Sequence, residues 1–167
     1  LDLAKMVFAG KINTDILAQF RRRGIHAVGL SGIDGGVVVA KKRPPREVVD
    51  RTTGLSETVD FGHVGDVVDI DATLITTLIA KNYLPVVSSL GADDDGRIFN
   101  INADTIAAEI AAGLGAEKLI LISDVNGIYM TEGDEATKLS QLTTQEARNL
   151  IESGRATGGM IPKLENL

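Results

Sequence analysis

Asn100-Ile101-Asn102-Ala103-Asp104 runs directly into Thr105-Ile106-Ala107-Ala108-Glu109-Ile110-Ala111-Ala112-Gly113-Leu114. The second run has a helical pattern: Ile106, Ile110 and Leu114, with Ala107 and Ala111, form one apolar stripe. Alternation ahead of it places Asn100, Asn102 and Asp104 on one side of an extended segment. Asn102 or Asp104 can cap the helix start, whose free amides and dipole attract negative charge. One cap suffices for a helix. Three polar groups converging on one helix start therefore mark a candidate site.

Moving outward, residues 11–23 read as a helix, with Asn13 or Thr14 as its cap, Ile16, Leu17 and Phe20 facing inward and Gly24 as its stop. Residues 71–82 read as another, with Leu74, Ile75, Leu78 and Ile79 on one face. Thr143-Thr144-Gln145-Glu146 is a capping box opening a helix to Ser153, closed by Gly154. Strand patterns cover residues 26–30, 37–40 and 84–88. Lys118-Leu119-Ile120-Leu121-Ile122 is a continuous apolar run, as in a buried parallel strand. The polar stretch 41–60, punctuated by Pro44-Pro45 and Thr53-Gly54, suits surface hairpins. Phe61-Gly62-His63-Val64-Gly65-Asp66-Val67 reads as strand and tight turn with a close backbone approach, and residues 91–96 as an acidic turn. Helix alternating with strand argues an α/β fold whose largely parallel sheet is covered on both faces. Ligands bind such sheets beyond the strands' carboxyl ends, so the loops after Leu30, Ser88 and Ile122 are the places to look.

With 167 residues the chain fits one domain or two small lobes. Its 44% hydrophobic and 24% charged residues are those of a soluble globular protein. A net charge of -6 argues against a nucleic-acid partner, and Arg21-Arg22-Arg23 is read as complementing a helix dipole. There is no cysteine, hence no disulfide framework, thiolate metal site or thiol nucleophile. No run has the length of a membrane span and no signal peptide is visible, so a cytoplasmic location is expected. The sequence opens on Leu1 and closes on what reads as the first turns of a helix, as a piece of a longer protein does.

Arg155-Ala156-Thr157-Gly158-Gly159-Met160-Ile161-Pro162-Lys163 joins a glycine-rich turn to a helix start bearing a lysine. Bare amides, the dipole and Lys163 make an anion site; a plain turn before a surface helix, with Pro162 in its first turn, fits equally. Neither a Walker loop nor GxGxxG occurs. Asp93-Asp94-Asp95-Gly96 lacks the spacing of a calcium loop, His26 and His63 stand alone, and no protein metal site is expected.

Six motifs, taken together and in order, resemble the amino-acid-kinase family, most closely its members acting on N-acetyl-L-glutamate. They are Ala9-Gly10-Lys11, Gly29-Leu30-Ser31-Gly32-Ile33-Asp34-Gly35, residues 59–67, Asn100-Ile101-Asn102-Ala103-Asp104, Ser123-Asp124-Val125-Asn126-Gly127, and Gly158-Gly159-Met160-Ile161-Pro162-Lys163. The resemblance implies a three-layer αβα sandwich with a mainly parallel open sheet, truncated at both ends. It implies an amino-acid-substrate lobe over residues 1–102 and a nucleotide lobe over 103–167. The implied reaction is ATP-dependent phosphorylation of the side-chain carboxylate of N-acetyl-L-glutamate, in arginine biosynthesis, with Mg2+ on the nucleotide. An acetylaminoadipate-type acceptor of lysine biosynthesis, or a non-catalytic nucleotide- or amino-acid-binding module, is the rival reading.

By the same resemblance Lys163 neutralises the phosphoryl group in flight and Asp104 orients the catalytic lysines. Asn100, with Asn102 beside it, binds the substrate, and Val64 lines the pocket for the acetyl methyl. Ser123, Asp124, Val125, Asn126, Gly127, Ile128 and Tyr129 border the nucleotide, as do Arg155, Ala156, Thr157, Gly158, Gly159 and Met160. Family members form homodimers or higher oligomers. They also carry a second lysine, a glycine pair and a substrate-binding arginine upstream of the part matched here, so residues 1–167 alone are expected to have little kinase activity.

Overall fold

Helical structure begins earlier than the apolar spacing indicates. A turn of helix, α1 (Asp2–Ala4), passes into a π-helical stretch, Lys5–Ile12, and this into α2 (Asn13–Arg22) without a break. Neither Asn13 nor Thr14 is a cap. The Asn13 amide already donates to Phe8 and Gly10 carbonyls, and the Thr14 hydroxyl donates to the Gly10 carbonyl at 2.7 Å. The helix stops at Gly24, whose φ of 71° suits a residue without a β-carbon. The structure, a computed structural model, describes residues 1–49, 54–122, 127–130, 134, 137–154 and 164. They belong to two units, Leu1–Gly115 and Ala116–Leu167.

In the first unit β1 (Ala27–Ser31) runs parallel to β6 (Leu84–Ser88), with Ser31 opposite Ser88. A second sheet has the order β5-β2-β7-β8. There β2 (Val38–Lys42) pairs antiparallel with β5 (Gly65–Ile70) and parallel with β7 (Leu90–Ala92). β7 in turn pairs antiparallel with β8 (Ile98–Asn100). β3 (Arg46–Val49) and β4 (Ser56–Val59) form the hairpin expected in the polar stretch. Two helices complete the unit, α3 (Thr73–Ala80) and α4 (Ala103–Gly113). The α/β class holds, with mixed pairing. One of the antiparallel pairs involves a short element: Leu90–Ala92, of which Gly91 and Ala92 were expected in an acidic turn, is a strand of three residues, too short to show a period.

The core gathers Val37, Val38, Ala40, Ile75, Phe99, Ile101 and Ile106, with Leu74, Ile110 and Leu114 packed at its margin. The α4 stripe is thus what the spacing indicated. Each fully buried aliphatic side chain here contributes about 1.5–3 kcal/mol.

The second unit is built on α5 (Thr144–Glu152), whose Ala147 and Leu150 are buried with Leu164 against Ile128, Leu139 and Leu142. The capping box is present: the Thr143 amide donates to the Glu146 carboxylate at 2.8 Å, and the Glu146 amide to the Thr143 hydroxyl at 3.2 Å. Residues 118–122 depart from expectation. They form no strand, and Ile120 and Ile122 are 80% and 93% exposed. An apolar run becomes a buried parallel strand only beside a neighbour that completes its ladder, and no strand pairs with it among the described residues.

The Thr143 amide and hydroxyl hold the Glu146 carboxyl below its ordinary range. A depressed folded value means that the capping box stabilises fully above the unfolded value and fades as pH falls through the folded one. Carboxyl NMR titration is expected to give Glu146 a lower pKa in the protein than in an unfolded peptide of residues 143–152; an equal or higher value would contradict the capping geometry.

Candidate active site

Ile101, 3% exposed, anchors in the core between two amides that are left outside it. Its amide donates to the Ser89 carbonyl at 3.1 Å, tying the end of β8 to the end of β6. The Gly32 amide donates to the Ser88 carbonyl at 3.2 Å, which brings in the end of β1. Carboxyl ends of β1, β6 and β8 therefore meet at the start of α4, where open α/β sheets bind ligands.

Asn100 closes β8. Its amide donates to the His63 carbonyl at 2.8 Å and it forms a parallel bridge with Val64, so the sequence-distant Val64 and Asn100 are neighbours. Val64 is held from its other side by the Arg43 amide at 2.9 Å. The Arg43 guanidinium grips Asp66 at 2.6 and 2.8 Å, with the two side chains 28% and 26% exposed. The Asn100 side-chain oxygen is buried and has no hydrogen-bond partner among the described residues; the Ser88 hydroxyl shares that condition. A buried acceptor left unpaired costs about 1–3 kcal/mol, so such an atom calls for a donor brought from outside.

Asn102 is the cap. Extended at φ −61°, ψ 129°, it accepts from the Thr105 amide at 3.0 Å and the Thr105 hydroxyl at 3.3 Å. Its oxygen is thus committed to the helix, and the amide nitrogen is the part that can serve a ligand. Asp104 does not continue the alternation. The chain is already helical at Ala103, so Asp104 turns with the first helical turn, half-buried, where its charge suits the positive end of α4.

In the second unit Gly127 has a φ of 149°, and a β-carbon there would lie 2.9 Å from the Lys138 side chain. Ile128 joins the unit's core and Tyr129 bridges to Lys138. Ser123, Asp124, Val125, Asn126, Arg155, Ala156, Thr157, Gly158, Gly159, Met160 and Lys163 lie outside the described residues. Among the described residues no cluster of three or more His, Cys, Asp or Glu could hold a metal, and no helix is long and apolar enough to cross a membrane. Arg97, just past the acidic turn, stands 3.1 Å from Asp95 and 3.7 Å from Asp93 and offsets part of its charge. Residue-by-residue reading missed two features. Ser88 reads only as the strand end before one of the candidate loops, with nothing to mark its hydroxyl as a polar group of the site. Asn13 reads as a cap, although Gly29, a glycine inside an apolar strand, signals that something approaches closely there.

A model of the amino acid kinase family matches residues 1–167. The chain is 45% identical over 166 residues to the acetylglutamate kinase of Methanocaldococcus jannaschii, covering 99% of this chain and 55% of that one. To the acetylglutamate kinase of Sorangium cellulosum it is 46% identical over 165 residues, 99% and 57% of the two chains. The chain thus spans a little over half the length of these relatives. Among solved structures, a protein of Streptococcus mutans UA159 superposes with TM-score 0.74 at 28% identity, covering 96% and 59% of the chains. An N-acetylglutamate synthase of Neisseria gonorrhoeae shares the fold with TM-score 0.72 at 21% identity, over 99% and 34%.

If Asn102 is chiefly a cap, Asn102→Ala costs about 1 kcal/mol in chemical denaturation while Asn102→Asp, an equally good cap, costs almost nothing. Equal losses in the two variants would contradict the capping role.

Proposed function

The chain belongs to the amino acid kinase family, and from that premise we propose that it serves the ATP-dependent phosphorylation of N-acetyl-L-glutamate on its side-chain carboxylate, in arginine biosynthesis. The observation that carries this reading is Asn100, whose buried side-chain oxygen lacks a partner among the described residues beside Val64 and the start of α4. An N-acetylated amino acid brings what such a site lacks. Its amide N–H suits the Asn100 oxygen, its α-carboxylate suits the Asn100 amide nitrogen, and its methyl suits the Val64 side chain.

The chemistry asks little covalent work of the protein. A side-chain carboxylate is ionised at neutral pH, so the nucleophile needs no general base. One of its oxygens attacks the γ-phosphorus of ATP, the bond to the β-bridging oxygen breaks, and ADP leaves with the electron pair. The barrier is lowered by positioned positive charge and amide donors. In this reading Lys163 neutralises the transferring group, Asp104 orients the catalytic lysines, and Asn100 and Asn102 hold the acceptor. Residues 123–129 and 155–160 border the nucleotide, whose phosphates carry Mg2+. In this reading residues 1–102 form the acceptor lobe and 103–167 the nucleotide lobe, with α4 packed into the compact unit Leu1–Gly115. A cytoplasmic, homo-oligomeric enzyme fits this assignment.

In the protein made from the complete reading frame, Lys163→Ala should lower kcat on the order of a hundredfold or more and leave the affinity for N-acetylglutamate nearly unchanged. An unaltered kcat removes Lys163 from the mechanism. Competing N-acetylglutamate with N-acetylaminoadipate in one assay should favour the former; preference for the longer acid would reassign the acceptor.

A further inference from the structure

We propose that Asn13 is a positioning residue, an amide clip that joins α2 to both strands of the β1–β6 pair and so sets the strand ends on which the Asn100–Asn102 turn rests. Asn13 is 5% exposed. Its side-chain nitrogen donates to the Leu30 carbonyl at 3.0 Å and to the Val86 carbonyl at 3.2 Å, one on each strand. Both amide hydrogens are thereby used, and in the register Gly29 opposite Val86 and Leu30 opposite Val87 the two carbonyls belong to neighbouring rungs. A single side chain thus spans the pair where a slip of one strand against the other would move its carboxyl end.

Two further observations show that this contact is built in. A β-carbon on Gly29 would fall 2.2 Å from the Asn13 side-chain oxygen and 2.8 Å from the Leu17 side chain, so the amide fills the space that glycine leaves. The helix that delivers Asn13 is π-wound over Lys5–Ile12, and a change of helical register re-aims every side chain beyond it. In exchange the Asn13 oxygen has no partner among the described residues, a cost that a surface position would avoid.

The route to the site is short. Leu30 and Val86 lie two residues before Gly32 and Ser88, which bond to each other, and Ser89 receives the Ile101 amide next to Asn100. The catalytic part of this inference rests on the kinase reading; the structural part does not. Small misplacements at this distance can cost up to about a hundredfold in rate.

The test uses Asn13→Ala, Gly29→Ala and the double variant in the protein made from the complete reading frame, followed by amide hydrogen exchange and steady-state kinetics. Exchange at Gly32 and Ile101 should rise about tenfold or more with α3 unchanged, and kcat/KM for N-acetylglutamate should fall about tenfold while KM for ATP holds. Gly29→Ala should reproduce the effect by displacing the amide, and the double variant should be no worse than either single one. Unchanged exchange at those two amides, an equal rise throughout residues 1–115, or additive losses would overturn the clip. If Asn13→Ala does not fold, Gly29→Ala alone decides. A wild-type protein that phosphorylates no N-acetylglutamate sinks the kinase reading, and the exchange pattern still judges the clip.

Discussion

Backbone meets backbone at Gly32. A β-carbon there would stand 2.0 Å from the Leu90 carbonyl and 2.6 Å from the Val38 side chain, so only glycine fits between the two sheets. The Gly32 amide donates to Ser88 and its carbonyl accepts from the Val38 amide at 2.7 Å, which fastens β1, β6 and β2 around one residue. At Gly91 a β-carbon would stand 2.8 Å from the Ile101 side chain and 2.9 Å from that of Val38, so glycine again leaves room for the core. These close approaches carry the first unit. They let a two-stranded parallel pair and a mixed four-stranded sheet share one core, and they bring the loops after β1 and β6 to the start of α4.

What the site offers follows from that convergence. Ile101 is drawn into the core, so Asn100 and Asn102 are held on either side of a fixed point. One amide completes a helix and the other keeps a buried oxygen without a partner among the described residues. Asp104 adds charge at a helix end that favours it. On the proposed function these amides are the groups that would orient the acylated acid, and transfer to its ionised carboxylate would need no general base.

Legibility in the sequence tracked length and period. α4, α5 and its capping box, β6 and the β3–β4 hairpin were readable because each repeats a spacing or matches a turn signal. The three-residue strands β7 and β8 carry no period and emerge only in tertiary context. Residues 118–122 show the converse, a strong strand pattern with no ladder partner among the described residues. The Asn100 and Asn102 pair was legible as convergent polarity, while the turn of Asp104 into the helix was not, because alternation does not announce where a helix starts. Asn13 was hidden by its own plausibility: asparagine near a helix start reads as a cap, and only the buried contacts to two strands show otherwise.

On the proposed function the Asn100 side-chain amide is the place where the acceptor is recognised. Titrating N-acetylglutamate into the complete protein with 15N-labelled asparagine, and following the Asn100 side-chain resonances, tests this directly. A saturable shift of those resonances is the predicted result. N-acetylglutamate that binds with the Asn100 side chain unmoved, or does not bind at all, would contradict it.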